Sequence, residues 1–417
     1  MKDMLGRDNI ISAEMALRLF LEGLSSKIPD KVSVNIENAV GMVCSQDIIS
    51  DEDLPPFARS TMDGYAVKSE NTFGATESMP AYLNLSEEIF MGEQPVFLLQ
   101  TDSAGKIPTG GMLPDGADAV VMFEYVQPAD EKMIEVLKPV APGENVIQAG
   151  EDIRKGEILI HSGRRLRPQD IGACAGIGIT EIKVYKKPLV SVISTGDEIV
   201  KAESLPDGGK IRDINSYVLS GMISEAGCIP LRKGIFRDEY ETIRTVIESS
   251  LEDSDIIVLS GGTSVGTKDI IAKIINDIGE PGVIFHGVAL KPGKPIIGGI
   301  VKDTPVFGLP GHPAAVSVCF EVFIEPVLKK LSGMNEKFLW DNRRTVTARL
   351  SKNISSSQGR EEHIRVILEE RDNGLWAVPV LGKSGLITTL VKADGTIVIP
   401  VNINGLEKGE VIEVRLF

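Results

Sequence analysis

Residues 188–331 alternate apolar strands with amphipathic helices, and this rhythm constrains the fold more than any other feature of the chain. Apolar runs such as PLVSVIS, DIIVLS and TPVFGL each lead into a glycine-containing turn. Strands and helices of these lengths predict a parallel sheet with helices on both faces, which is a three-layer α/β domain. Such sheets bind ligands in the loops at the carboxyl ends of their strands.

The segments on either side of this region have different patterns. Residues 12–24 predict an amphipathic helix with Ser12 as its N-cap. From about 32 to 160, short apolar runs separated by Pro, Gly and Asp indicate a β-rich module, and a short helix is predicted at 167–178. After about residue 335 the apolar residues alternate with period two, so a small all-β domain is predicted at the end of the chain.

The overall charge limits the classes of partner. Asp and Glu outnumber Lys and Arg by 59 to 44, and this acidic excess argues against a nucleic-acid or anionic-membrane surface. A small anionic ligand remains compatible with it, because local lysines and helix N-termini can hold one. The N-terminus lacks the apolar core of a secretory signal, no apolar stretch approaches the roughly twenty residues of a membrane span, and the cysteines form no C-x-x-C pair. We therefore expect a soluble, cytoplasmic protein with reduced thiols.

The most informative loop is SGGTSVGTKD at residues 260–269, between a predicted strand and a predicted helix. Glycines there let backbone N–H groups approach a phosphate, and the dipole of the following helix favours negative charge. The loop has neither the Walker A ending nor the spacing of a dinucleotide fingerprint. A plain tight turn is the alternative interpretation, but Gly, Ser and Thr at the end of a parallel strand favour a ligand. Asp269 is a candidate helix cap or Mg²⁺ ligand.

A second loop, STGDE at residues 194–198, follows another apolar strand and is expected to open at the same edge of the sheet. By themselves, the adjacent carboxylates Asp197 and Glu198 are equally consistent with a solvated turn. Their predicted position beside the glycine loop favours a metal-binding or general-base role.

Two turns rich in proline carry basic residues. In KPGKP, Lys291 and Lys294 stand on a stiff scaffold from which two ammonium groups can reach one tetrahedral oxyanion or a diphosphate. Solvated surface lysines are the alternative. GLPGHP is a strand-to-helix turn in which Pro313 suits the first helical position. His312 is interpreted as a cap or a supporting group rather than a catalyst.

The β-rich module has its own dense motif, PPFARSTMDGYAV at residues 55–67. A proline-rich turn accounts for most of it, but Asp63 beside Gly64 is a carboxylate on a constrained turn. Asp152 in GED and Thr109 in TGG are weaker signals of the same kind. The sequence has no Cys/His cluster for zinc or iron–sulfur and no Gly-x-Ser-x-Gly elbow. A soft metal would therefore be held by sulfur from a substrate, or arrive as an oxyanion.

These motifs resemble, in order and over essentially the whole chain, those of the MoeA family, whose eukaryotic relative is the E-domain of gephyrin. The matching segments are PPFARSTMDGYAV, PTGGMLPDGADAVVMFE, GEDI, STGDEI, INSYVL, SGGTSVGTKD, KPGKP and GLPGHP. The resemblance implies a four-part, L-shaped subunit in an elongated homodimer, in which the β-rich domain completes the partner's active site. The implied parts are a molybdopterin-binding α/β domain (10–28 and 188–331), a mixed connecting domain (29–46 and 155–187), a β-rich dimer-facing domain (47–154) and a C-terminal β-barrel-like domain (332–417).

The resemblance also implies a reaction, the insertion of molybdate into adenylylated molybdopterin with Mg²⁺-dependent release of AMP. Other proteins of cofactor biosynthesis and molybdoenzymes are implied as candidate partners. One alternative is the preceding adenylyltransferase step, which related α/β domains carry out alone. Another is a scaffold or carrier that binds the pterin without turnover. The additional β domains and the Asp63 loop favour the insertion step.

The family's motifs carry over residue by residue. The implied catalytic carboxylates are Asp63, Asp152, Glu198 and Asp269. Of these, Glu198 and Asp269 are the implied metal ligands. The phosphate loop is matched by Gly261, Gly262, Ser264 and Gly266. The molybdate-facing groups are matched by Lys291, Lys294, Arg360 and Ser384. The predicted substrate-binding set is completed by Thr109, Thr195, Pro310 and Pro313.

Three positions depart from the family's pattern. The family often has an Arg shortly before Gly-Glu-Asp, where this chain reads NVIQA around Ile147. His312 replaces a usual Asn, and Ala315 replaces a frequent Ser. The last departure removes a hydroxyl donor from the implied molybdate site.

Overall fold

The computed structural model describes residues 11–24, 29–261, 265–339 and 344–417, with residues 265–268 described by their backbone alone. Four groups of secondary structure, each with its own buried apolar cluster, make up these residues, and two of the groups combine segments that are far apart in the sequence. No helix in the described ranges combines the length and the apolar character needed to cross a membrane. The four cysteines are buried and form no disulfide with one another.

A six-stranded sheet forms the centre of the predicted α/β region. Its strands are β1 (Leu189–Thr195), β2 (Ile229–Phe236), β3 (Ile256–Gly261), β4 (Pro281–His286), β5 (Ile297–Val301) and β6 (Thr304–Leu309). Their order across the sheet is β2-β1-β3-β6-β5-β4. The strands β2, β1, β3 and β6 run parallel to one another, and β5 runs antiparallel to its neighbours β6 and β4.

The predicted three-layer α/β architecture is confirmed, but the sheet is mixed rather than wholly parallel. The strand β5, IGGIV in the sequence, is absent from the sequence-based expectation. It reverses into β6 through a two-residue turn, in which Lys302 and Asp303 have φ angles of 48° and 68°. Turns of this type usually carry Asn-Gly or Asp-Gly. Because Lys-Asp lacks that signal, the hairpin is not visible in the sequence.

Helices cover both faces of the sheet. In chain order they are α1 (Ala13–Gly23), α2 (Asn215–Glu225), α3 (Tyr240–Asp253), α4 (Val265–Ile278), α5 (Pro313–Cys319) and α6 (Glu325–Leu331), with a π-helical turn at Phe320–Ile324 between the last two. Alternate residues of a strand point to opposite faces of the sheet. Val192 packs with α1, α2 and α5 on one face, whereas Ile193 packs with α3 and α4 on the other. This alternation follows from the two-residue period of a strand.

The N-terminal helix α1 packs against this sheet although it is remote in sequence. The Ser12 side chain accepts a hydrogen bond from the Met15 N–H at 3.1 Å, so the predicted N-cap is observed. Phe20 is fully buried, with its ring centroid 5.9 Å from that of Phe285 and 4.6 Å from that of Phe307. These aromatic contacts, rather than chain neighbourhood, hold the helix in the α/β core.

The β-rich module contains a second six-stranded sheet. In sheet order its strands are Ala119–Met122, Gly64–Val67, Ser103–Ile107, Ala81–Leu85, Met133–Val136 and Val126–Pro128. Two short pairs flank it, Arg59–Ser60 with Val146–Ile147 and Ile48–Ile49 with Ile158–Ile160. Beside the module, Lys31–Asn35 pairs with Glu181–Tyr185, and the helix Pro168–Gly176 packs against the same small core.

The C-terminal region forms a closed five-stranded barrel, which confirms the small all-β domain predicted there. Around the barrel its strands are Glu361–Arg371, Gly374–Pro379, Thr345–Leu350, Val411–Leu416 and Gly395–Ile399, and the last pairs again with the first. A short helix, Thr388–Val391, precedes the final strands, and Ile354–Ser355 pairs with Gly405–Leu406 outside the barrel. The segment Leu290–Lys291 of the α/β region adds a parallel strand to Glu361–Glu362, which joins the two regions.

Candidate functional site

The two loops predicted to meet at the carboxyl edge of the sheet do meet. The last residue of β1, Thr195, lies opposite the last residue of β3, Gly261. Gly261 has a φ of 151°, and a Cβ added there would lie 1.7 Å from the Thr195 carbonyl oxygen. Only glycine fits this crossing, so the loop sequence is required by the close approach of two backbones.

Buried hydroxyl groups line this edge. Within the described ranges, Thr195 Oγ1 and Ser260 Oγ are buried and have no hydrogen-bond partner. Buried polar atoms in proteins are nearly always satisfied, by protein, water or ligand. Thr195 belongs to the predicted substrate-binding set, whereas Ser260 does not. Both oxygens offer hydrogen bonds to a group bound at this edge.

The predicted phosphate loop is described only in part. The strand–loop–helix order is confirmed, because β3 ends at Gly261 and α4 begins at Val265. Gly266 lies in the first turn of α4. Gly262 and Ser264 lie outside the described residues.

The predicted metal ligands lie at the same edge of the sheet. Glu198 is half-buried in the turn after β1, and Asp269 is exposed near the start of α4. Gly196 leaves room for the Glu198 carboxylate, since a Cβ on Gly196 would lie 2.8 Å from Glu198 Oε2. In the described part of the chain no group of three or more His, Cys, Asp or Glu side chains is arranged to hold a metal ion. Mg²⁺ commonly takes one or two carboxylates together with substrate phosphates and water, and Glu198 and Asp269 match that donor set.

Asp213 is a structural residue of the site that the sequence analysis missed. Its Oδ2 accepts a hydrogen bond from Ser194 Oγ at 2.7 Å, and its Oδ1 accepts one from the Ser216 N–H at 3.1 Å. Asn215 then donates from Nδ2 to the Gly311 carbonyl at 2.8 Å. The start of α2 therefore ties the STGDE loop to the GLPGHP turn. The signal that could have identified Asp213 is its position shortly before a predicted helix start, where Asp commonly acts as a cap.

A second concave site, here called the lysine cleft, lies between the α/β region and the barrel, with a volume of about 570 Å³. Its lining contains the four residues predicted to face molybdate and Pro310 of the substrate-binding set. The lining residues used below are Lys291, Lys294, Pro310, His312, Ala315, Arg360, Glu362, His363, Arg365 and Ser384. The structure thus brings together residues that are up to about ninety positions apart in the sequence.

The KPGKP turn is shaped by tight packing. Gly293 has a φ of 125°, and a Cβ there would lie 2.8 Å from Cys319 Sγ and 3.0 Å from Leu290 Cδ2. Lys291 Nζ lies 2.7 Å from Glu362 Oε1, so the barrel already neutralises this ammonium group. Lys294 is half-buried in the same cleft.

Two departures from the family's pattern line the cleft. His312 occupies the N-cap position of α5, but its ring makes no capping hydrogen bond. Instead His312 Nδ1 lies 3.0 Å from Ser384 Oγ, and the Ser384 carbonyl accepts a hydrogen bond from the Ala314 N–H at 3.1 Å. Pro313 is buried at the first helical position, as predicted, and Ala315 is buried beside it. His312 therefore supports Ser384 across the boundary between α5 and the barrel.

The predicted residues of the β-rich module are exposed. Asp63 Oδ1 accepts a hydrogen bond from the Thr109 N–H at 2.8 Å, so these two predicted residues stand together. Asp152 lies in the turn after Gly150. Ile147, the third departure, pairs with Arg59 in a short ladder. The hydrogen bonds that Asp63 accepts, from the N–H groups of Thr109 and Phe123, both come from residues of the β-rich module.

Three family models match the chain in succession. They are the MoeA N-terminal region (domain I and II) over residues 11–178, a probable molybdopterin binding domain over 191–330, and the MoeA C-terminal region (domain IV) over 347–417. The three matches follow the succession of sheets described above.

Relatives extend over nearly the whole chain. A putative molybdopterin biosynthesis protein from Methanocaldococcus jannaschii is 37% identical over 98% of each chain. A molybdopterin molybdenumtransferase from Bacillus subtilis is 30% identical over 92% of this chain and 89% of its own. Two solved structures of molybdopterin biosynthesis MoeA proteins from Pyrococcus horikoshii match with TM-scores of 0.77 and 0.81. Their identities are 38% and 33%, over 98% of this chain and 99% and 100% of theirs. The chain therefore belongs to the MoeA family of molybdopterin molybdenumtransferases and is a transferase of molybdenum cofactor biosynthesis.

Proposed function

We propose that this enzyme inserts molybdate into adenylylated molybdopterin and releases AMP in a Mg²⁺-dependent step. The edge where β1 ends at Thr195 and β3 ends at Gly261 is here called the glycine-rich edge. The observation that carries the proposal is that this edge and the lysine cleft are neighbours. Ser260 of β3 pairs with Leu309 of β6, and the next residue, Pro310, lines the cleft. A nucleotide phosphate and an inorganic dianion therefore have adjacent places at one sheet edge.

The glycine-rich edge is assigned to the adenylylated phosphate. Backbone N–H groups at the start of α4 suit phosphate oxygens, and the unpartnered hydroxyls of Thr195 and Ser260 supply further hydrogen bonds. Glu198 and Asp269 are the carboxylates that would hold Mg²⁺. When bound, this ion neutralises charge on the phosphoanhydride as the bond to AMP breaks. One water molecule is consumed as the phosphoanhydride breaks, and its OH and H complete the phosphate of AMP and the phosphate that stays on the pterin.

The lysine cleft is assigned to molybdate. A dianionic tetrahedral oxyanion suits the ammonium of Lys294, the guanidinium of Arg360 and the hydroxyl of Ser384. Lys291 contributes less net charge, because Glu362 pairs with it. The two dithiolene sulfurs of the pterin supply the soft ligands that molybdenum needs, and one oxo group of molybdate leaves as water with the two thiol protons. Pro310 and Pro313 keep the turn between the two sites rigid.

We further propose a homodimer in which Asp63, Thr109 and Asp152 of one subunit complete the site of the other. The exposed large apolar side chains of the β-rich module support this assignment, because burying them in a subunit interface would favour association. They are Phe73, Met79, Tyr82, Phe90, Met91, Val96 and Leu98. Light scattering is expected to give twice the 45.0 kDa of one chain. The four buried cysteines, which form no disulfide with one another, suit the reducing cytoplasm, where we place the reaction.

A reconstituted assay tests this function. Purified protein with adenylylated molybdopterin, Mg²⁺ and molybdate is expected to release AMP and to form active molybdenum cofactor, as judged by reconstitution of an apo-molybdoenzyme. Consumption of ATP with unmodified molybdopterin would instead indicate the adenylyltransferase step. Tight pterin binding without any turnover would indicate a carrier.

Lys294→Ala is expected to raise the molybdate concentration required for half-maximal cofactor formation about tenfold or more. The reason is that a charge-assisted hydrogen bond contributes about 1.5–3 kcal/mol. Molybdate titrations of AMP release and cofactor formation provide the measurement. Lys352→Ala, an exposed lysine of the barrel outside the cleft, is the matched control. An unchanged molybdate requirement would remove Lys294 from the oxyanion site.

A further inference from the structure

His363 is a buried histidine in the wall of the lysine cleft. It lies in the barrel strand Glu361–Arg371, it lines the cleft, and only 1% of its side chain is exposed. Among the residues that the structure describes, none makes a hydrogen bond with its buried Nδ1. Buried polar atoms in proteins nearly always have a partner. The sequence motifs did not single out this residue, and the proposed function gives it no role.

The other ring nitrogen of His363 has a partner. His363 Nε2 lies 2.8 Å from Glu361 Oε1, and this contact holds the pKa of Glu361 below its usual range. Because Glu361 is a carboxylate that can only accept a hydrogen bond, Nε2 carries a proton and donates it. Nδ1 is therefore the nitrogen whose protonation depends on its surroundings.

The protonation state of Nδ1 decides what kind of partner it needs. In the neutral ring Nδ1 is an acceptor, whereas in the imidazolium it is a donor. The described residues supply neither a donor nor an acceptor for it. An oxyanion such as molybdate supplies acceptors only, because it carries no proton near neutral pH. Binding of such an anion therefore stabilises the imidazolium over the neutral ring.

The charges that share the cleft with His363 oppose its protonation as long as no anion offsets them. Five of these groups are Lys or Arg, against one Glu and one further His. They come from its own strand and the residue before it, the KPGKP turn, the GLPGHP turn and the segment before Ser384, and they are Arg360, Glu362, Arg365, Lys291, Lys294, His312 and Lys383. No ion pair joins Arg365, on the same face of the strand, to an acidic side chain within the described ranges.

One carboxylate favours the imidazolium from the other side of the ring. Glu361 lines a separate small cavity, together with Glu14, Glu321, Glu325, Lys329 and Arg415. The neighbouring barrel strand, Gly395–Ile399, adds no charged residue. His363 thus lies between a carboxylate that favours its positive charge and a basic cleft that disfavours it. An anion in the cleft shifts this balance towards the charged ring.

We propose that His363 takes up a proton when an oxyanion binds in the lysine cleft, so that the cleft binds the anion more tightly as the pH falls. An oxygen of the anion accepts a hydrogen bond from Nδ1, while Glu361 accepts one from Nε2. The proton comes from solvent, and no bond within the anion changes. The anion-bound protein then holds more protons than the free protein, and linkage requires tighter binding at lower pH. The identity of the anion as molybdate rests on the proposed function.

Isothermal titration calorimetry in buffers of different ionisation enthalpy tests the proposal. Sodium molybdate is titrated into the unliganded full-length protein. Wild type is expected to take up roughly half a proton or more per anion at about pH 7, and to bind about fivefold more tightly at about pH 6.5 than at about pH 8. His363→Gln keeps an N–H for Glu361 but cannot titrate, so it is expected to lose the proton uptake and most of the pH dependence. His161→Gln, an exposed histidine outside the cleft, is the control and is expected to keep both.

The number of protons taken up per anion is the decisive quantity. Uptake that persists in His363→Gln would overturn the proposal, and so would molybdate binding to wild type without uptake. Loss of uptake in His312→Gln but not in His363→Gln would assign the proton to the other histidine of the cleft, which also refutes it.

A second measurement applies should His363→Gln not fold. In wild type labelled with ¹⁵N-histidine, the ring of His363 is expected to change from singly to doubly protonated on saturation with molybdate. Gln variants of the other three histidines, His161, His286 and His312, assign the signals. A His363 ring that keeps one protonation state throughout would refute the proposal.

Failure of this proposal differs from failure of the proposed function. Molybdate binding without proton uptake, together with AMP release in the reconstituted assay, would refute the role of His363 alone. A molybdate affinity that is unchanged in Lys294→Ala would refute both, because molybdate would then not bind in the lysine cleft.

Discussion

Asp269→Asn is expected to slow AMP release by about a hundredfold or more while changing the dissociation constant of the pterin substrate by only a few fold. Asp269 lies near the start of α4, at the edge where β1 and β3 end. A carboxylate that helps to hold Mg²⁺ acts mainly on the charge that develops as the phosphoanhydride breaks. The asparagine has nearly the same shape, so the loss isolates the negative charge.

Single-turnover AMP release and equilibrium binding of the pterin substrate provide the two measurements for Asp269→Asn. The variant is also expected to require more Mg²⁺ for half-maximal rate. Asp277→Asn is the matched control, because Asp277 lies on the same helix near its opposite end. Asp277 Oδ2 accepts a hydrogen bond from Tyr240 at 2.6 Å, which an amide oxygen can also accept. Equal losses in binding and in AMP release would contradict a catalytic role for Asp269.

Gly261→Ala is expected to destabilise the α/β domain by about 3 kcal/mol or more, with a fall in Tm of roughly 6–12 °C. The added Cβ would lie 1.7 Å from the Thr195 carbonyl oxygen, and the φ of 151° is strained for any side chain. Backbone on both sides would have to move, and the loop that follows β3 would move with it.

Differential scanning calorimetry measures this fall in Tm. Gly172→Ala is the control, because a Cβ at Gly172 meets no atom within 4 Å and the residue lies in the helix Pro168–Gly176. That substitution is expected to stabilise slightly, by about 0.5–1 kcal/mol, since alanine favours helices. A wild-type Tm in Gly261→Ala would show that the close approach of β1 and β3 is not required.

Local patterns predicted most of the secondary structure. The helix capped by Ser12 and the strand–loop–helix order around Gly261 follow from capping and periodicity, which depend on residues a few positions apart. The strand β5 was not predicted, because the turn that follows it, Lys302–Asp303, adopts positive φ angles without the residues that normally favour them. Asp213 was missed although its position before α2 carried a capping signal.

The order of residues along the chain is enough to predict the succession of strands and helices, the glycines that permit close backbone crossings, and the motifs that identify the family. Tertiary structure alone decided which distant groups share a cleft and which charges are neutralised there. Lys291 has Glu362 as its counter-charge, whereas Arg365 has none among the described residues. Periodicity and capping act over a few residues along the chain, but a counter-charge and burial depend on distances in space. Packing of the barrel against the α/β domain sets those distances.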